Sequence, residues 1–253
     1  MPKLSTLTLT HYPYSFLAAV WQWLLDALFP RRCFGCSRYG SWCCAVCLAA
    51  LTYPRQLHCP ACEAVTPLGE FCAECAGEHS LNGVWSAQPY GNPLVRNLIK
   101  ALKFGGVIEV TPYLTNLMLG LLRAFNLPPA WHGKPREQWC LTPVPLTPKR
   151  HRRRNFNQAE RLAQAVAEAT GLSCQSTLAR THGAKAQSEL NRDADRFANV
   201  HGAFAVLPNA NIAGQIFILV DDVYTSGATM EACARALKQA GADEVWGLTA
   251  AKG

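Results

Sequence analysis

The sequence predicts an α/β fold, in which a mostly parallel sheet is flanked by helices and preceded by a small cysteine-rich domain. Strand-like and helix-like segments alternate from about Leu81 to the end of the chain, which is the pattern of a parallel sheet. The run 215–220 is almost wholly apolar, as in a central strand that is buried on both faces. Nine of the twelve cysteines lie between Cys33 and Cys75, so the cysteine-rich part precedes the alternating segments.

Proline and glycine mark the boundaries of the predicted elements. A helix opens at Pro93, and glycines follow the ends of two others at Gly171 and Gly241. Helices are predicted over 93–104, 112–125, 157–170 and 228–239, and strands over 84–87, 139–144, 215–220 and 244–250. Ahead of the cysteines, apolar residues from Phe16 to Leu28 recur at helical spacing. They predict an amphipathic docking helix, with a membrane-surface helix as the alternative.

The composition is that of a folded protein with anionic partners. Hydrophobic residues make up 49% and charged residues 16%, which excludes a disordered chain. The net charge of +7 favours phosphates, nucleic acid or an acidic surface. The apolar stretch 14–29 is too short to span a bilayer and lacks the flanks of a secretory signal. We therefore expect no transmembrane segment and a cytoplasmic location.

Four C-x-x-C pairs predict metal binding. They are Cys33 with Cys36, Cys44 with Cys47, Cys59 with Cys62, and Cys72 with Cys75. Structural zinc takes four ligands in a tetrahedron, so these pairs supply two sites, formed either by sequential or by interleaved pairing. Zinc is favoured over a redox or iron–sulfur role, and four-thiolate zinc is structural. The predicted parts are residues 1–32 (tail and amphipathic helix), 33–77 (zinc-ribbon domain) and 81–253 (α/β domain).

The sharpest motif joins the run 215–220 to the predicted helix 228–239. The strand ends in Asp221 and Asp222, and a short loop of small and hydroxyl residues follows. The loop N–H groups, the hydroxyls and the helix N-terminus can cradle a phosphate, and Gly227 allows close backbone approach. The two carboxylates can accept hydrogen bonds from the vicinal hydroxyls of a ribose. The motif therefore predicts a site for a ribose 5-phosphate, and we expect its acids to be exposed at the strand tip.

Residues 217–229 resemble the signature by which type I phosphoribosyltransferases bind phosphoribosyl pyrophosphate (PRPP). Tyr224 departs from the aliphatic residue usual at its position. The PRPP-binding residues that this resemblance implies are Asp221, Asp222, Val223, Tyr224, Thr225, Ser226, Gly227, Ala228 and Thr229. It also implies that Asp221 and Asp222 are the catalytic residues, and that Mg²⁺ accompanies PRPP.

Further stretches are similar to the ordered motifs of the ComF/GntX family. They are Ile99–Phe104, Pro143–Pro145 with Arg150, Arg154–Gln158, a series from Gln187 to Phe204, and the cysteine ribbon after Leu28-Phe29-Pro30. Asn155 stands where the family usually has glycine, and a left-handed turn there would still suit asparagine. The resemblance covers nearly the whole chain after about residue 24. It implies a type I phosphoribosyltransferase-like fold and a role in competence, DNA uptake or use of external DNA.

The basic run 149–154 follows the predicted strand 139–144. In a type I transferase the loop at this place holds the pyrophosphate. The candidates for pyrophosphate or DNA contact are Lys103, Arg150, Arg152, Arg153 and Arg154. The run is open to three interpretations: a solvated helix start, a pyrophosphate site, or a footprint for nucleic-acid phosphates. Arg180, Lys185 and Arg192 occupy a polar stretch that could close over the site as a lid.

The leading functional hypothesis is a PRPP-binding phosphoribosyltransferase, a glycosyltransferase that transfers a pentosyl group to an unknown acceptor. The first alternative is a non-catalytic accessory factor that binds single-stranded DNA. The second is a PRPP-sensing regulator. The expected partners are PRPP, single-stranded DNA and the DNA-uptake machinery.

Overall fold

The computed structural model describes residues 30–127, 134–147, 152–180 and 203–253. The predicted amphipathic helix of the first 29 residues lies outside these ranges. Within them the strands are β1 (Leu57–His58), β2 (Val65–Thr66), β3 (Gly83–Pro89), β4 (Trp139–Pro143), β5 (Ser173–Cys174), β6 (Leu178–Arg180), β7 (Phe204–Val206), β8 (Ile216–Tyr224) and β9 (Glu244–Lys252). The helices are α1 (Ala45–Ala49), α2 (Pro93–Gly105), α3 (Thr111–Ala124), α4 (Gln158–Thr170) and α5 (Ala228–Gln239).

A five-stranded parallel sheet forms the centre of the molecule, as the sequence predicts. Its strand order is β3-β9-β8-β4-β5, and β8 lies in the middle. The last four of these helices have ends within one residue of the predicted ones. β8 is longer than predicted, because it continues through both aspartates to Tyr224. It does so because β9 pairs with it as far as Tyr224 and Lys252, which supplies the backbone partners that keep the chain extended.

Two apolar cores cover the two faces of the sheet, and the strand β8 contributes to both. Ile216, Ile218 and Val220 enter the core beneath α2, α3 and α4. Phe217 and Leu219 enter the core beneath α5. This alternation follows from the two-residue period of a strand and explains the unbroken apolar run in the sequence.

The cysteine-rich segment packs on both faces of the sheet. Its first half contributes Cys43 and Leu57 to the core beneath α2, α3 and α4. Its second half contributes Cys59 and Phe71 to the core beneath α5. The two halves of the segment are therefore built into different cores.

The outer edge of β3 is covered by the chain between β2 and β3. Glu70 pairs with Gly83 in an antiparallel bridge, and the N–H of Val84 donates to the carbonyl of Gly69 at 3.1 Å. A Cβ atom at Gly83 would lie 2.4 Å from the carbonyl oxygen of Gly69, so this close approach requires glycine. The segment 69–71 thus continues the sheet beyond its edge strand.

No helix in the described part of the chain is long and apolar enough to cross a membrane.

Candidate ligand-binding site and metal centres

The loop between β8 and α5 is the candidate phosphate cradle, and it has features that suit an anion. Thr225 and Ser226 are exposed, and Gly227 adopts a left-handed conformation with φ 74° immediately before α5. The first N–H groups of α5 lack partners within the helix, and the helix dipole adds positive potential there. A phosphate placed on this loop would therefore meet hydroxyls, N–H groups and a helix N-terminus together.

Tyr224 supports the loop from the buried side. Its side chain is 7% exposed and belongs to the core beneath α5. A Cβ atom at Gly227 would lie 2.4 Å from the Tyr224 hydroxyl, so glycine makes room for the ring. Burial, with the charges of Glu231 and Cys59, raises the pKa of Tyr224 to about 12. Tyr224 is thus a packing residue, which accounts for its departure from the usual aliphatic side chain.

The first turn of α5 is tied to the end of the cysteine-rich segment through Glu231. This carboxylate is 5% exposed and accepts hydrogen bonds from the N–H groups of Ser80 and Leu81. The imidazole of His79 lies 3.6 Å from it. These contacts fix the orientation of the helix whose N-terminus forms the cradle.

Asp222 is buried rather than exposed at a strand tip, which corrects the sequence-based expectation. It is 2% exposed, and its Oδ1 lies 2.7 Å from Nζ of Lys103 at the last turn of α2. Its Oδ2 is also buried and has no hydrogen-bond partner among the described residues. The expectation failed because β8 extends past the aspartates and carries them into the protein interior.

Asp221 is half-buried and has a different environment. Its Oδ1 accepts a hydrogen bond from the N–H of Asp222 at 2.8 Å. Burial, together with the charge of Asp222, raises the pKa of Asp221 to about 8, although Lys103 and this N–H oppose the shift. The adjacent acids therefore differ: Asp222 is held by a cation, and Asp221 takes up a proton near neutral pH.

Of the basic residues that the sequence nominates, only some lie near the acid pair. Lys103 contacts Asp222, whereas Arg152 and Arg153 are exposed and Arg150 lies outside the described residues. Arg154 is half-buried, and its guanidinium lies 5.3 Å from the centroid of the Phe104 ring, one residue after Lys103. This contact joins the basic run to the end of α2.

The turn after the basic run confirms the interpretation of the asparagine there. Asn155 has φ 58°, a left-handed conformation that asparagine tolerates better than most residues. Arg154 donates to the side chain of Gln158 at 2.9 Å across this turn.

Only one residue of the predicted lid lies within the described residues. Arg180 lies in β6, and its guanidinium is 5.0 Å from the centroid of the Phe204 ring. Lys185 and Arg192 lie outside the described residues.

The eight cysteines form two compact sets by sequential pairing. They are Cys33, Cys36, Cys44 and Cys47, and Cys59, Cys62, Cys72 and Cys75. Within each set all sulfur atoms lie within 4.8 Å of one another. Four sulfurs 2.3 Å from a zinc ion would be about 3.8 Å apart. The Cys36–Cys44 and Cys62–Cys72 sulfur distances are 3.7 and 3.6 Å, so each set can hold one tetrahedral metal ion.

The first cysteine of each set favours the thiolate that a metal requires. Burial opposes ionisation of Cys33, but the N–H groups of Cys44, Cys36 and Gly35 outweigh it and lower its pKa to about 6. Cys59 repeats this arrangement, and its pKa is also lowered to about 6. Cys43 belongs to neither set, and burial raises its pKa to about 11. The distances between sulfur atoms, which place Cys43 outside both sets, thus separate the eight candidate ligands from the leftover cysteine.

A cleft of about 460 Å³ lies between residues 52–63 and the ends of β3 and β9. Tyr224 and Lys252 line it, whereas Asp221 and Asp222 do not. The cleft is therefore adjacent to the motif but distinct from the acid pair.

Three features of the site were not predicted from the sequence: the Lys103–Asp222 ion pair, the anchoring role of Glu231, and the exposure of Phe104. Phe104 is 65% exposed beside Arg154, although aromatic side chains of helices are usually buried. The helical pattern of the sequence contains one signal from which the exposure of Phe104 could have been predicted. It places Phe104 at the end of α2, outside the apolar stripe formed by Leu98, Ile99 and Leu102.

Comparisons with known proteins show which family the chain resembles. Residues 155–250 match the family described as the phosphoribosyl transferase domain. The "DNA utilization protein YhgH" of Salmonella typhi is 32% identical over 211 residues, which cover 80% of this chain and 88% of that protein. The "Competence protein ComFC" of Streptococcus pneumoniae is 24% identical over 211 residues, covering 80% and 84% of the two chains. A solved glutamine PRPP amidotransferase from B. subtilis has 23% identity and a TM-score of 0.30 over 43% of this chain and 21% of that chain.

A parallel sheet that matches the phosphoribosyl transferase domain, preceded by two sets of four cysteines, defines a phosphoribosyltransferase-type protein with a cysteine-rich N-terminal module. The extent of the match to the relatives then fixes the family. The chain belongs to the ComF family, whose members bear names of competence and DNA utilization.

Proposed function

We propose that this protein binds PRPP and transfers its phosphoribosyl group to an acceptor, in a pathway of DNA uptake or use of external DNA. One observation supports the proposal: the central strand β8 contains two adjacent aspartates shortly before the glycine-containing loop that leads into the N-terminus of α5. Carboxylates beside a phosphate cradle suit a ligand that has hydroxyls close to its phosphate, and ribose 5-phosphate is such a ligand.

In the proposed complex each part of PRPP has a partner. The 5-phosphate lies on the Thr225–Gly227 loop, where N–H groups and hydroxyls donate to its oxygens. The ribose hydroxyls donate to Asp221 and Asp222. The pyrophosphate extends towards the basic side of the site, where Arg154 joins the end of α2.

The chemical step separates pyrophosphate from C1 of the ribose. The C1–O bond breaks with its electron pair leaving on pyrophosphate, and the acceptor then donates an electron pair to the positively charged C1. Carboxylates near the ribose stabilise the developing positive charge, while cations stabilise the departing pyrophosphate. The residues of this chain thus bind and orient the ligand and complement its charge separation.

A Mg²⁺ ion fits the donor chemistry of the acid pair. Asp221 and Asp222 offer carboxylate oxygens, the ligand type that Mg²⁺ prefers, and Oδ2 of Asp222 has no hydrogen-bond partner among the described residues. When bound, the ion would neutralise phosphate charge.

Zinc is the metal that the two cysteine sets fit, and its proposed role is structural. All four ligands of each set come from the protein, so no position remains open for a substrate. The sets would stabilise the cysteine-rich segment and, through its packing, the sheet that carries the phosphate cradle.

Calorimetry of PRPP with and without Mg²⁺ tests the binding. We expect binding that Mg²⁺ strengthens, and pyrophosphate release once a suitable acceptor is supplied. Binding without release with any nucleobase, nucleoside or nucleic-acid acceptor would support a PRPP-sensing regulator instead. Absence of binding in both conditions would refute the proposal.

A second candidate function, binding of single-stranded DNA, is favoured by the surface near the basic run. Arg152 and Arg153 are exposed, and the exposed ring of Phe104 lies beside Arg154. Exposed aromatic rings next to cations suit stacked bases joined by phosphates. Tyr224 does not contribute, because it is buried.

Replacing Arg152 and Arg153 by alanine should weaken binding of single-stranded DNA equally for all sequences. Each lost phosphate contact removes about 0.7 from the slope of log affinity against log salt, so the slope should flatten by roughly one unit. A salt titration by fluorescence anisotropy measures it. The matched control is Arg38→Ala with Arg55→Ala, two exposed arginines of the cysteine-rich segment. An equal slope change in both variants, or none in either, would leave the run as solvated surface.

A further inference from the structure

Lys103 is the charged side chain closest to the acid pair in the described structure. Its Nζ lies 2.7 Å from Oδ1 of Asp222, and the two side chains are 21% and 2% exposed. The sequence-based hypothesis named Lys103 among the candidates for pyrophosphate or DNA contact. The structure instead directs the ammonium group towards the carboxylate.

The position of Lys103 is fixed by the helix that carries it. α2 begins at Pro93, where the Asn92 side chain caps the helix by accepting from the N–H groups of Leu94 and Val95. It ends at Gly105, and the following Gly106 adopts φ 64° and caps the last turn. Leu102, immediately before Lys103, is fully buried in the core. Lys103 therefore projects from a capped and packed helix, and only its side-chain torsions are free to adjust.

Asp222 needs a compensating charge because it is buried. An ionised carboxylate that leaves water loses its hydration, and an uncompensated one is strongly disfavoured in the interior. The backbone N–H of Asp222 donates to Oδ1 of the neighbouring Asp221, so it does not stabilise the Asp222 carboxylate. In the described part of the chain, the ion-pair partner of Asp222 is Lys103.

We infer that Lys103 is a positioning residue for ribose recognition: it holds Asp222 in place and offsets the combined charge of the Asp221–Asp222 pair. This inference rests on the proposed function, because it concerns how the acid pair accepts the ribose hydroxyls. It assigns Lys103 to the ribose end of the ligand and not to the pyrophosphate.

The test compares Lys103→Met with Lys100→Met. Lys100 is exposed on the same helix, so its replacement removes the same charge and the same amine without touching Asp222. Each variant is titrated by calorimetry with PRPP, ribose 5-phosphate and pyrophosphate. We expect Lys103→Met to weaken PRPP and ribose 5-phosphate alike by about tenfold, the scale of one charge-assisted hydrogen bond. The affinity of Lys103→Met for pyrophosphate should not change, and Lys100→Met should match the wild type with all three ligands.

Two further variants separate positioning from folding. Lys103→Arg keeps the charge and should recover most of the affinity for PRPP and ribose 5-phosphate. Asp222→Asn with Lys103→Met removes both partners, and its loss of affinity should be smaller than the product of the two single losses, because the two residues act together. Thermal unfolding of each variant identifies any that fails to fold. If Lys103→Met does not fold, the affinities of Lys103→Arg and the wild type are compared instead.

Three results would overturn the inference. A loss confined to PRPP and pyrophosphate, with ribose 5-phosphate unchanged, would make Lys103 a pyrophosphate contact. Equal behaviour of Lys103→Met and Lys100→Met would leave the ion pair without a role in recognition. Failure of the wild type to bind either PRPP or ribose 5-phosphate would refute the proposed function itself, and the inference with it.

Discussion

The Asp221→Asn Asp222→Asn double variant should bind PRPP at least tenfold more weakly, a loss of about 1.4 kcal/mol. This is the scale of one or two charge-assisted hydrogen bonds from ribose hydroxyls. Calorimetry at pH 9 gives the clearest measurement, because Asp221, with a pKa of about 8, is then ionised in the free protein. Unchanged affinity would mean that the ribose is held elsewhere or that PRPP is not the ligand.

The Asp221→Asn single variant should lose more affinity at pH 9 than at pH 6. At pH 6 the wild-type carboxyl already carries a proton, so asparagine replaces a neutral group. The stability of this variant at pH 9 should not fall together with its affinity. A carboxyl whose folded-state pKa is raised contributes stability below its ordinary pKa, and this contribution is lost as the pH rises through about 8. Asp221→Asn should therefore unfold at or above the wild-type temperature at pH 9, with a shift of ~2–4 °C per kcal/mol.

The Asp222→Asn single variant should be less stable than the wild type. It removes the carboxylate that lies 2.7 Å from Nζ of Lys103, so an ammonium group on a side chain that is 21% exposed loses its ion-pair partner. The expected destabilisation is about 1–3 kcal/mol, measured by thermal or urea unfolding at neutral pH. Equal stability of the two single variants would contradict the different environments of the two acids.

The purified protein should contain two zinc ions per chain, one for each cysteine set. Cys36→Ser and Cys62→Ser make a matched pair, because each replaces the exposed second cysteine of its set. Each variant should lose one zinc by elemental analysis and native mass spectrometry. Both should also be less stable, since structural zinc contributes on the order of 10 kcal/mol to the folding of small metal-bound modules.

The two variants should differ in PRPP binding. The second set shares its core with Tyr224 and with α5, whose N-terminus forms the phosphate cradle, whereas the first set packs against the other face. Cys62→Ser should therefore weaken PRPP by at least about fivefold, while Cys36→Ser leaves its affinity nearly unchanged. Equal effects on affinity would show that the two metal centres act on the cradle only through overall stability. A zinc content near zero in folded wild-type protein would refute metal binding.

Much of the fold could be predicted because its signals are local. Pro93, Gly171 and Gly241 mark helix ends, and the run 215–220 identifies the central strand. The motif after that strand placed a glycine at a helix start, and the structure has Gly227 in a left-handed conformation immediately before α5. The sequential assembly of the cysteine sets could not be chosen in advance, because C-x-x-C spacing alone permits either pairing.

The environment of the two acids could not be predicted, because it depends on contacts distant in sequence. Nothing near Asp222 in the chain indicates that the end of α2, about 120 residues earlier, lies beside it. Its burial also depends on how far β9 extends the pairing of β8, which the apolar pattern does not reveal. The exposed Phe104 was missed for a related reason: its neighbour Arg154 comes from a different element.

The segment that covers the edge of β3 links loss of metal to aggregation of the protein. The segment 69–71, which pairs with Gly83 and Val84, immediately precedes the metal ligand Cys72. Loss of the metal at the second set would loosen this segment and leave a strand with unpaired N–H and C=O groups at the border of the sheet. Such a border recruits strands from other molecules, so metal-depleted protein should form oligomers and precipitate while its central sheet remains intact. Chelators would then act as aggregation agents, and the yield of soluble protein would follow the zinc supply during expression.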